Sequence, residues 1–375
     1  MPARVRAVFV EPYLAGSHAA FARGWLARSR HDWTLLSLPG EAWKWRLRLA
    51  GRLLGERLAR VTPRPDVVVV SGLLDLAHLR QAAGENGSVP HLLYLHENQL
   101  TYPRPGNQPV DRGFAATHLV SILAADGLAL NSRFHRDELA AALRTFLEEV
   151  PRPRPRGVLG RVRRARVLPP GIDFRGFPAP GDRPPSDPPV IAWNHRWEED
   201  KRPGAFARIV LRLAERGRAF RLELLGTTVQ ARPRPLELIL ERLGDRVLHA
   251  GPARTRREYV RRLAGADLAV STAIQENFGY AALEAMAAGC VPLLPDRLSY
   301  PEILPADLRE DCLYRTDRDL LSRLSSWLLE PARYAPLRRR AMEAARAHGW
   351  EHRVEPLDDW VEEAARRGRR GGKQG

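Results

Sequence analysis

The chain has 375 residues, 44% hydrophobic and 28% charged, a composition that suits two globular domains of ordinary size and excludes a disordered or fibrous chain. No apolar run reaches the roughly 18 residues a membrane-spanning helix needs, and two cysteines, Cys290 and Cys312, exclude a disulfide framework and zinc-type ligand spacing. A formal net charge of +16, almost all of it arginine, favours encounters with polyanions such as nucleic acid or anionic lipid, though a GC-rich genome produces the same bias.

The first residues, MPARVRAVFVEPY, are broken by Glu11 and lack the apolar length of a signal peptide. They read as a first strand over 5–10, and the expected location is the cytoplasm, with both cysteines reduced and a single disulfide left open. A helix follows over 17–28, then a strand over 33–38. Residues 43–58 are amphipathic: Leu47, Ala50, Leu54 and Leu58 share one face, with arginines around the rest. Strands are expected over 66–71 (DVVVVS), 91–95 and 127–131, with a helix through 118–125 before the last. Near-continuous β-branched runs separated by helical periodicity indicate a parallel sheet covered on both faces, a doubly wound α/β domain.

Residues 151–166 (PRPRPRGVLGRVRRAR) are too proline-rich to continue a helix and too charged for a core, so they read as a basic surface excursion. The first domain is taken as 1–175, and 176–189, rich in Pro, Gly and Asp, as a linker. A second strand–helix alternation begins at Val190: strands over 190–193, 220–225, 247–250, 268–271 and 291–294, helices over 205–216, 235–243, 255–265 and 279–288. This second domain spans 190–348. A last helix over 353–367, within 349–367, is a candidate to reach back to the first domain, and 368–375 reads as a disordered tail.

Several residues carry candidate chemistry. Glu276 and Glu284 stand in ENFGYAALE with seven residues between them, the first at the carboxyl end of a strand and the second on the following helix. A carboxylate accepts two hydrogen bonds and suits a ribose diol or a pair of sugar hydroxyls. Gly279 lets the backbone approach a ligand, and the helix start offers N–H groups to phosphate. With Asn277 and Phe278 these residues form the candidate donor loop. Arg196 and Lys201, in NHRWEEDK just past strand 190–193, are placed to neutralise a diphosphate; the plain alternative is surface charge paired with Glu198, Glu199 or Asp200. In the first domain His96, Glu97, Asn98 and Gln99 follow strand 91–95, where a capping cluster is the plain alternative. Gly16 and His18 open the first helix in a loop that is not a GxGxxG dinucleotide fingerprint. Trp43, Lys44, Trp45 and Arg46 mix aromatic rings with cations, as nucleobase-stacking or membrane-lying helices do and as a core helix with a basic outer face also does.

NHRWEEDK, ADLAVST and ENFGYAALEAMAAGCVPLLP together resemble the GT-B glycosyltransferases of family 4. EPYLAGSH, LPGEAWKWR, LYLHENQLTYP, NSRFHRDE and LSYPEI narrow the likeness, over about residues 8–305, to the tRNA-queuosine α-mannosyltransferase group. The resemblance implies a GT-B fold, two Rossmann-like doubly wound α/β domains facing a central cleft. It implies transfer of mannose from GDP-mannose, the donor substrate, to the cyclopentenediol of queuosine at the wobble position of a tRNA, with no cofactor. Arg196 and Lys201 would hold the diphosphate, Glu284 the ribose and Glu276 the transferred sugar, with His96 beside the reacting carbon. Gly16 and His18 would line the cleft, and Trp43–Arg46 and Glu97–Gln99 would meet the acceptor.

Two departures stand out: Asn194 where relatives often carry Pro, and the Ile274–Gln275 pair before Glu276. The expected chemistry is a metal-independent retaining transfer, since no Asp-x-Asp pair is placed to hold a metal on the diphosphate. Nucleotide would dock on the second domain and the anticodon loop on the first, with closure excluding water. Competing readings are a family 4 enzyme with a lipid or polysaccharide acceptor, a non-catalytic RNA-binding protein, and a nucleotide-sugar 2-epimerase. The oligomeric state is not legible in the sequence.

Overall fold

The computed structural model describes residues 4–101, 111–227 and 233–371. The chain divides into two compact units, Met1–Asp173 with Trp350–Gly375, and Phe174–Gly349.

The first unit is built on six parallel strands, β1 (Arg6–Leu14), β2 (Asp32–Pro39), β3 (Val67–Ser71), β4 (His91–Leu95), β5 (Gly127–Leu130) and β6 (Arg166–Val167), in the order β2-β1-β3-β4-β5-β6. Every residue of β3 is buried, as a central strand covered on both faces requires. Alternate residues of the strands feed two cores. Val8, Val10, Val68, Val70, Leu93 and Leu95 pack under α2 (Trp43–Leu58), α3 (Leu76–Ala82), α4 (Arg112–Ala124) and α5 (Arg133–Glu149). Ala7, Phe9, Val67, Val69, Leu92 and Tyr94 pack under α1 (Gly16–Leu26) and a C-terminal helix, Trp350–Gly371. Local sequence sets the helix starts: the carboxylates of Asp75 and Asp111 and the hydroxyl of Ser132 each accept from backbone N–H groups in the first turns of α3, α4 and α5.

The segment 151–166 differs from the surface excursion expected. Val158–Arg163 forms α6, whose Val158 and Val162 are buried in the first core, and Arg166–Val167 is the edge strand β6. The prolines stop at Pro155, and the two valines four residues apart give the short helix one apolar stripe among its arginines.

The second unit has six parallel strands, β7 (Val190–Trp193), β8 (Arg221–Leu224), β9 (Val247–Ala250), β10 (Leu268–Val270), β11 (Val291–Pro295) and β12 (Leu313–Tyr314), ordered β12-β11-β10-β7-β8-β9. Its helices are α7 (Pro203–Glu215), α8 (Arg234–Leu243), α9 (Arg256–Ala264), α10 (Tyr280–Ala288), α11 (Tyr300–Ile303), α12 (Ala306–Cys312), α13 (Asp317–Leu329) and α14 (Leu337–Arg346). Cys290 and Cys312 are free and buried.

The segment read as a linker is fastened to this unit. Buried Asp267 accepts from the backbone N–H of Ser186 and Val190 and pairs with Arg338 and Arg183, while Phe174 and Phe177 are buried. Composition alone sees the prolines of such a segment and not the carboxylate that binds its backbone. The C-terminal helix, α15 (Trp350–Gly371), starts three residues before the expected one and belongs to the first unit, with Trp350, Leu357, Trp360, Val361 and Ala365 in its second core. The tail 368–375 was expected to be disordered; the helix runs through Gly371, and 372–375 lie outside the described residues.

Candidate active site

In both units the candidate residues gather at the carboxyl ends of the strands where strand order reverses, the position at which open parallel sheets bind ligands. In the second unit the reversal lies between β7 and β10. The loop after β7 carries Lys201 to the loop after β10. Its Nζ donates to the Gln275 carbonyl at 2.7 Å and lies 3.2 Å from Glu276 Oε2 and 3.3 Å from Asp200 Oδ2. Lys201 is one of three lysines in a chain with 60 lysines and arginines. A compact ammonium fits among three oxygens where a guanidinium fork does not. Burial opposes its charge, but Glu276 and Asp200 outweigh that and raise its pKa. Burial likewise opposes the Glu276 carboxylate, and the Lys201 charge overcomes it, with hydrogen bonds from Lys201 and the Gly279 N–H, holding its pKa below the usual value. His195, buried and beside Lys201, is held neutral with a pKa of about 3.

Glu276 Oε1 accepts from Gly279 N at 3.0 Å, so this carboxylate sits at the amino end of α10. Gly279 has φ of +104°, a conformation that keeps the turn open to glycine. Ser299 Oγ donates to the Glu276 carbonyl at 3.1 Å, and Tyr300 OH lies 2.7 Å from Ser271 Oγ, which is how the LSYPEI segment braces the loop. Asn277 and Phe278 are buried beside it. Gln275 Nε2 donates to Asn277 Oδ1 at 3.1 Å while Ile274 is exposed, so the departing pair splits between loop support and surface.

Arg196 pairs with Glu198 and Asp200, the surface-pairing alternative, and is about 43% exposed at its side chain. Glu284 is held by two groups the sequence reading missed: Arg256 Nη1 donates to Oε1 at 2.6 Å and Tyr259 OH to Oε2 at 2.8 Å. Asn194 Nδ2 donates to Tyr259 OH at 3.0 Å and to the Ala281 carbonyl at 2.8 Å, tying the end of β7 to α9 and α10. Proline at that position would have no such amide to offer. Arg256 and Tyr259 lie on a helix whose sequence reads only as an arginine-rich surface, so nothing local marks them.

In the first unit the reversal lies between β1 and β3. His18, two residues into α1, places Nδ1 3.2 Å from Glu11 Oε1 and 3.2 Å from Ser71 Oγ, and Nε2 3.3 Å from Glu97 Oε2. The His96 ring lies 4.3 Å from the His18 ring, centroid to centroid. Burial works against a charged His18, yet Glu11 and Glu97 prevail and hold its pKa well above the ordinary imidazole value. His18 is therefore clasped by two carboxylates that favour its charged form. His96 is pushed the other way, by burial and then by the His18 charge. Glu97 is held at about 2, the cationic neighbour outweighing burial. His118 and His135, also buried, are held at about 4 and about 3 by desolvation. Glu11 was a legible signal left unused: a carboxylate inside an apolar strand run is costly unless paired.

Glu11, His18 and His96 each offer a ligand atom, all within 4.8 Å of one another, a donor set that suits a divalent transition metal. With both its ring nitrogens facing carboxylates, His18 would have to lose a proton to serve as a ligand.

The remaining expected residues are dispersed. Gly16 has φ of +51° at the start of α1. Asn98 serves its own loop, Oδ1 accepting from Leu100 N and Thr101 N at 3.0 Å each, which is the capping alternative. Gln99 is buried. On α2 the Trp43 ring rests 5.6 Å from that of Phe114, with Lys44 Nζ 5.7 Å from the Trp43 ring, while Trp45 is 65% exposed and Arg46 reaches Glu41. A β-carbon on Gly40 would meet the Ala15 β-carbon at 2.1 Å, so the loop opening α2 lies against the loop opening α1. That contact brings Trp43–Arg46 to the same end of the sheet as His18. Tyr102 and Pro103 of the LYLHENQLTYP segment lie outside the described residues.

Residues 6–172 match the family described as tRNA-queuosine alpha-mannosyltransferase N-terminal, and 181–348 match glycosyl transferases group 1. The tRNA-queuosine alpha-mannosyltransferase of Drosophila melanogaster is 30% identical over 342 residues, 88% of each chain. Among solved structures, sucrose-phosphate synthase from Thermosynechococcus elongatus superposes with a TM-score of 0.71 at 15% identity, over 96% of this chain and 98% of that one. Anabaena HepE, solved with UDP and glucose, gives 0.63 at 15% identity over 96% and 100%. These likenesses show the fold, GT-B, built of two Rossmann-like α/β domains.

Proposed function

The chain belongs to the tRNA-queuosine alpha-mannosyltransferase family, and from that premise we propose that this glycosyltransferase moves mannose from GDP-mannose to queuosine at the wobble position of a tRNA, with retention of configuration. The observation that carries the reading is likeness to the Drosophila protein across 88% of both chains, spanning both units. The site supports it. The second unit gathers a buried cation, Lys201, and a carboxylate, Glu276, at the sheet's reversal point beside a helix amino end. In this reading the diphosphate meets Lys201 and Arg196, the transferred sugar meets Glu276, and the ribose diol takes Glu284 from Arg256.

In the reaction the bond between mannose C1 and the β-phosphate oxygen breaks and a bond from C1 to a cyclopentenediol hydroxyl forms on the same face. The hydroxyl proton leaves on the departing phosphate. Fixed cations stabilise the charge that builds on GDP. Lys201 and Arg196 supply that charge without a metal. His18, already protonated between Glu11 and Glu97, cannot take the acceptor proton; it holds Glu97 in place. In this reading His96, whose charged form burial disfavours, meets an acceptor hydroxyl.

The test is incubation with GDP-mannose and queuosine-containing tRNA, followed by nucleoside mass spectrometry. A gain of one hexose on queuosine is expected. Hexose appearing only on a different acceptor would sink the acceptor assignment and leave the fold untouched.

One observation favours a second reading, an acceptor in a membrane. Trp45, Leu49 and Leu53 recur every four residues on α2 and are 65%, 49% and 44% exposed, an apolar stripe among arginines. Sedimentation with anionic vesicles in the absence of tRNA affinity would support it.

A further inference from the structure

One cavity of the first unit lies away from the carboxyl ends of the strands. It lies at their amino ends, a groove of about 1320 Å³ bounded by the starts of β1, β4, β5 and β6 and by the last turns of α15. Seven arginines and three carboxylates line it, a surplus of four positive charges. Arg6, Arg64, Arg164 and Arg166 stand along the strand side, and Arg367 and Arg369 along the helix.

The arginines are organised rather than scattered. Asp66 holds two of them, Arg369 Nη2 at 3.0 Å and Arg6 Nε at 3.7 Å. Glu363 also holds two, Arg166 and Arg367. Each shared carboxylate fixes a pair of guanidiniums and neutralises one, so ordering is supplied in advance and a net positive charge is left facing out. Arg64 is set by Ser88 Oγ at 2.6 Å. Gly368 lies so close to Pro90 that a β-carbon would meet Pro90 Cγ at 2.6 Å, which pins this end of α15 against the start of β4. Arg161, Arg164 and Arg166 of the basic run 151–166 thus belong to a built surface, because Val158 and Val162 anchor that segment in the core.

Resting on the function proposed above, we propose that this groove is a second RNA-contact surface that takes the phosphate backbone of a helical stem of the same tRNA, away from the modified loop. Guanidinium forks match phosphate oxygens, and stem RNA is met through phosphates and shape rather than base edges. The chain's net charge of +16 fits a polyanion extending past the reaction site.

The experiment compares full-length queuosine-containing tRNA with a queuosine-containing anticodon stem-loop, using the whole chain and the triple variant Arg64→Ala/Arg164→Ala/Arg369→Ala. For the full-length tRNA the variant should raise KM roughly tenfold with kcat unchanged, and flatten the log–log salt slope of binding by about 2 to 3. For the stem-loop both proteins should perform alike. The triple Arg→Lys variant should recover part of the tRNA affinity, since the charge is kept and the fork is lost. Equal losses on both substrates, equal KM values of the wild type for both, or lysine behaving like alanine would overturn the proposal. A wild type that modifies neither substrate refutes the proposed function instead. The groove is then judged by filter binding of full-length tRNA, where the same tenfold difference is required. Loss of binding to phosphatidylserine vesicles without loss of tRNA affinity would also overturn it and point to a membrane surface.

Discussion

Lys201 concentrates the electrostatics of the second unit into one ammonium. It is 8% exposed and neighbours two carboxylates, and removing one partner from such a cluster leaves buried charge uncompensated. Lys201→Ala is therefore expected to destabilise by about 3–5 kcal/mol in urea unfolding. The double variant Lys201→Ala/Glu276→Gln should be less destabilised than the single one, and strict additivity would refute the coupling. The same residue tests the chemistry. Lys201→Ala or Arg196→Ala should lower turnover with GDP-mannose about 10²-fold or more while tRNA affinity stays within about twofold. Equal losses of turnover and affinity would count against the diphosphate assignment. Glu276, Lys201 and His96 were legible because each stands at a strand end in a motif. Arg256 and Tyr259 were not, because a helix presents its residues to partners that only packing selects.

At the scale of elements, α15 is the clearest case of a segment whose place local sequence does not give. Its amphipathic pattern predicts a helix and says nothing of which domain it covers. Asp358 decides it, accepting from Trp25 Nε1 at 2.8 Å, Ser29 Oγ at 2.7 Å and Arg30 N at 2.8 Å. Trp350 fits because Gly24 and Gly171 leave it room: a β-carbon on either would meet its ring at 2.3 Å. Asp358→Ala leaves three donors around a void and should cost about 2–4 kcal/mol, read as a fall in Tm, with Asp358→Asn intermediate. An unchanged Tm for the alanine variant would mean α15 is held by its apolar face alone.

Across the whole molecule, buried histidines link stability to pH. His91 and His118 are held at about 4, and His135 and His195 at about 3, all by burial. Their folded pKa lies below the unfolded value near 6.5, so the unfolded chain binds more protons as pH falls. The stability they contribute is complete above pH 6.5 and is lost below it, by about 1–2 kcal/mol for each ring between pH 7 and pH 5. His18 has the opposite sign: its raised pKa makes its contribution complete below 6.5 and lost as pH rises through the folded value. Tm should therefore drop steeply from pH 7 to pH 5, and a flat profile would contradict the neutral state of these four rings.

The sequence alone determined the two parallel α/β units and the motif residues at their strand ends, because burial on both faces writes continuous β-branched runs such as Val67–Ser71 and strand ends are where loops carry polar groups. Only the tertiary structure decided that 158–167 adds a helix and an edge strand, that 174–189 docks on Asp267, and that α15 closes the first core. It also decided that His18 meets Glu11 and Glu97, which raises its pKa, and that burial lowers the pKa of His96. These outcomes depend on which distant carboxylate or glycine meets the segment. That information is carried by contacts between residues far apart in the chain, and no local period or composition records it.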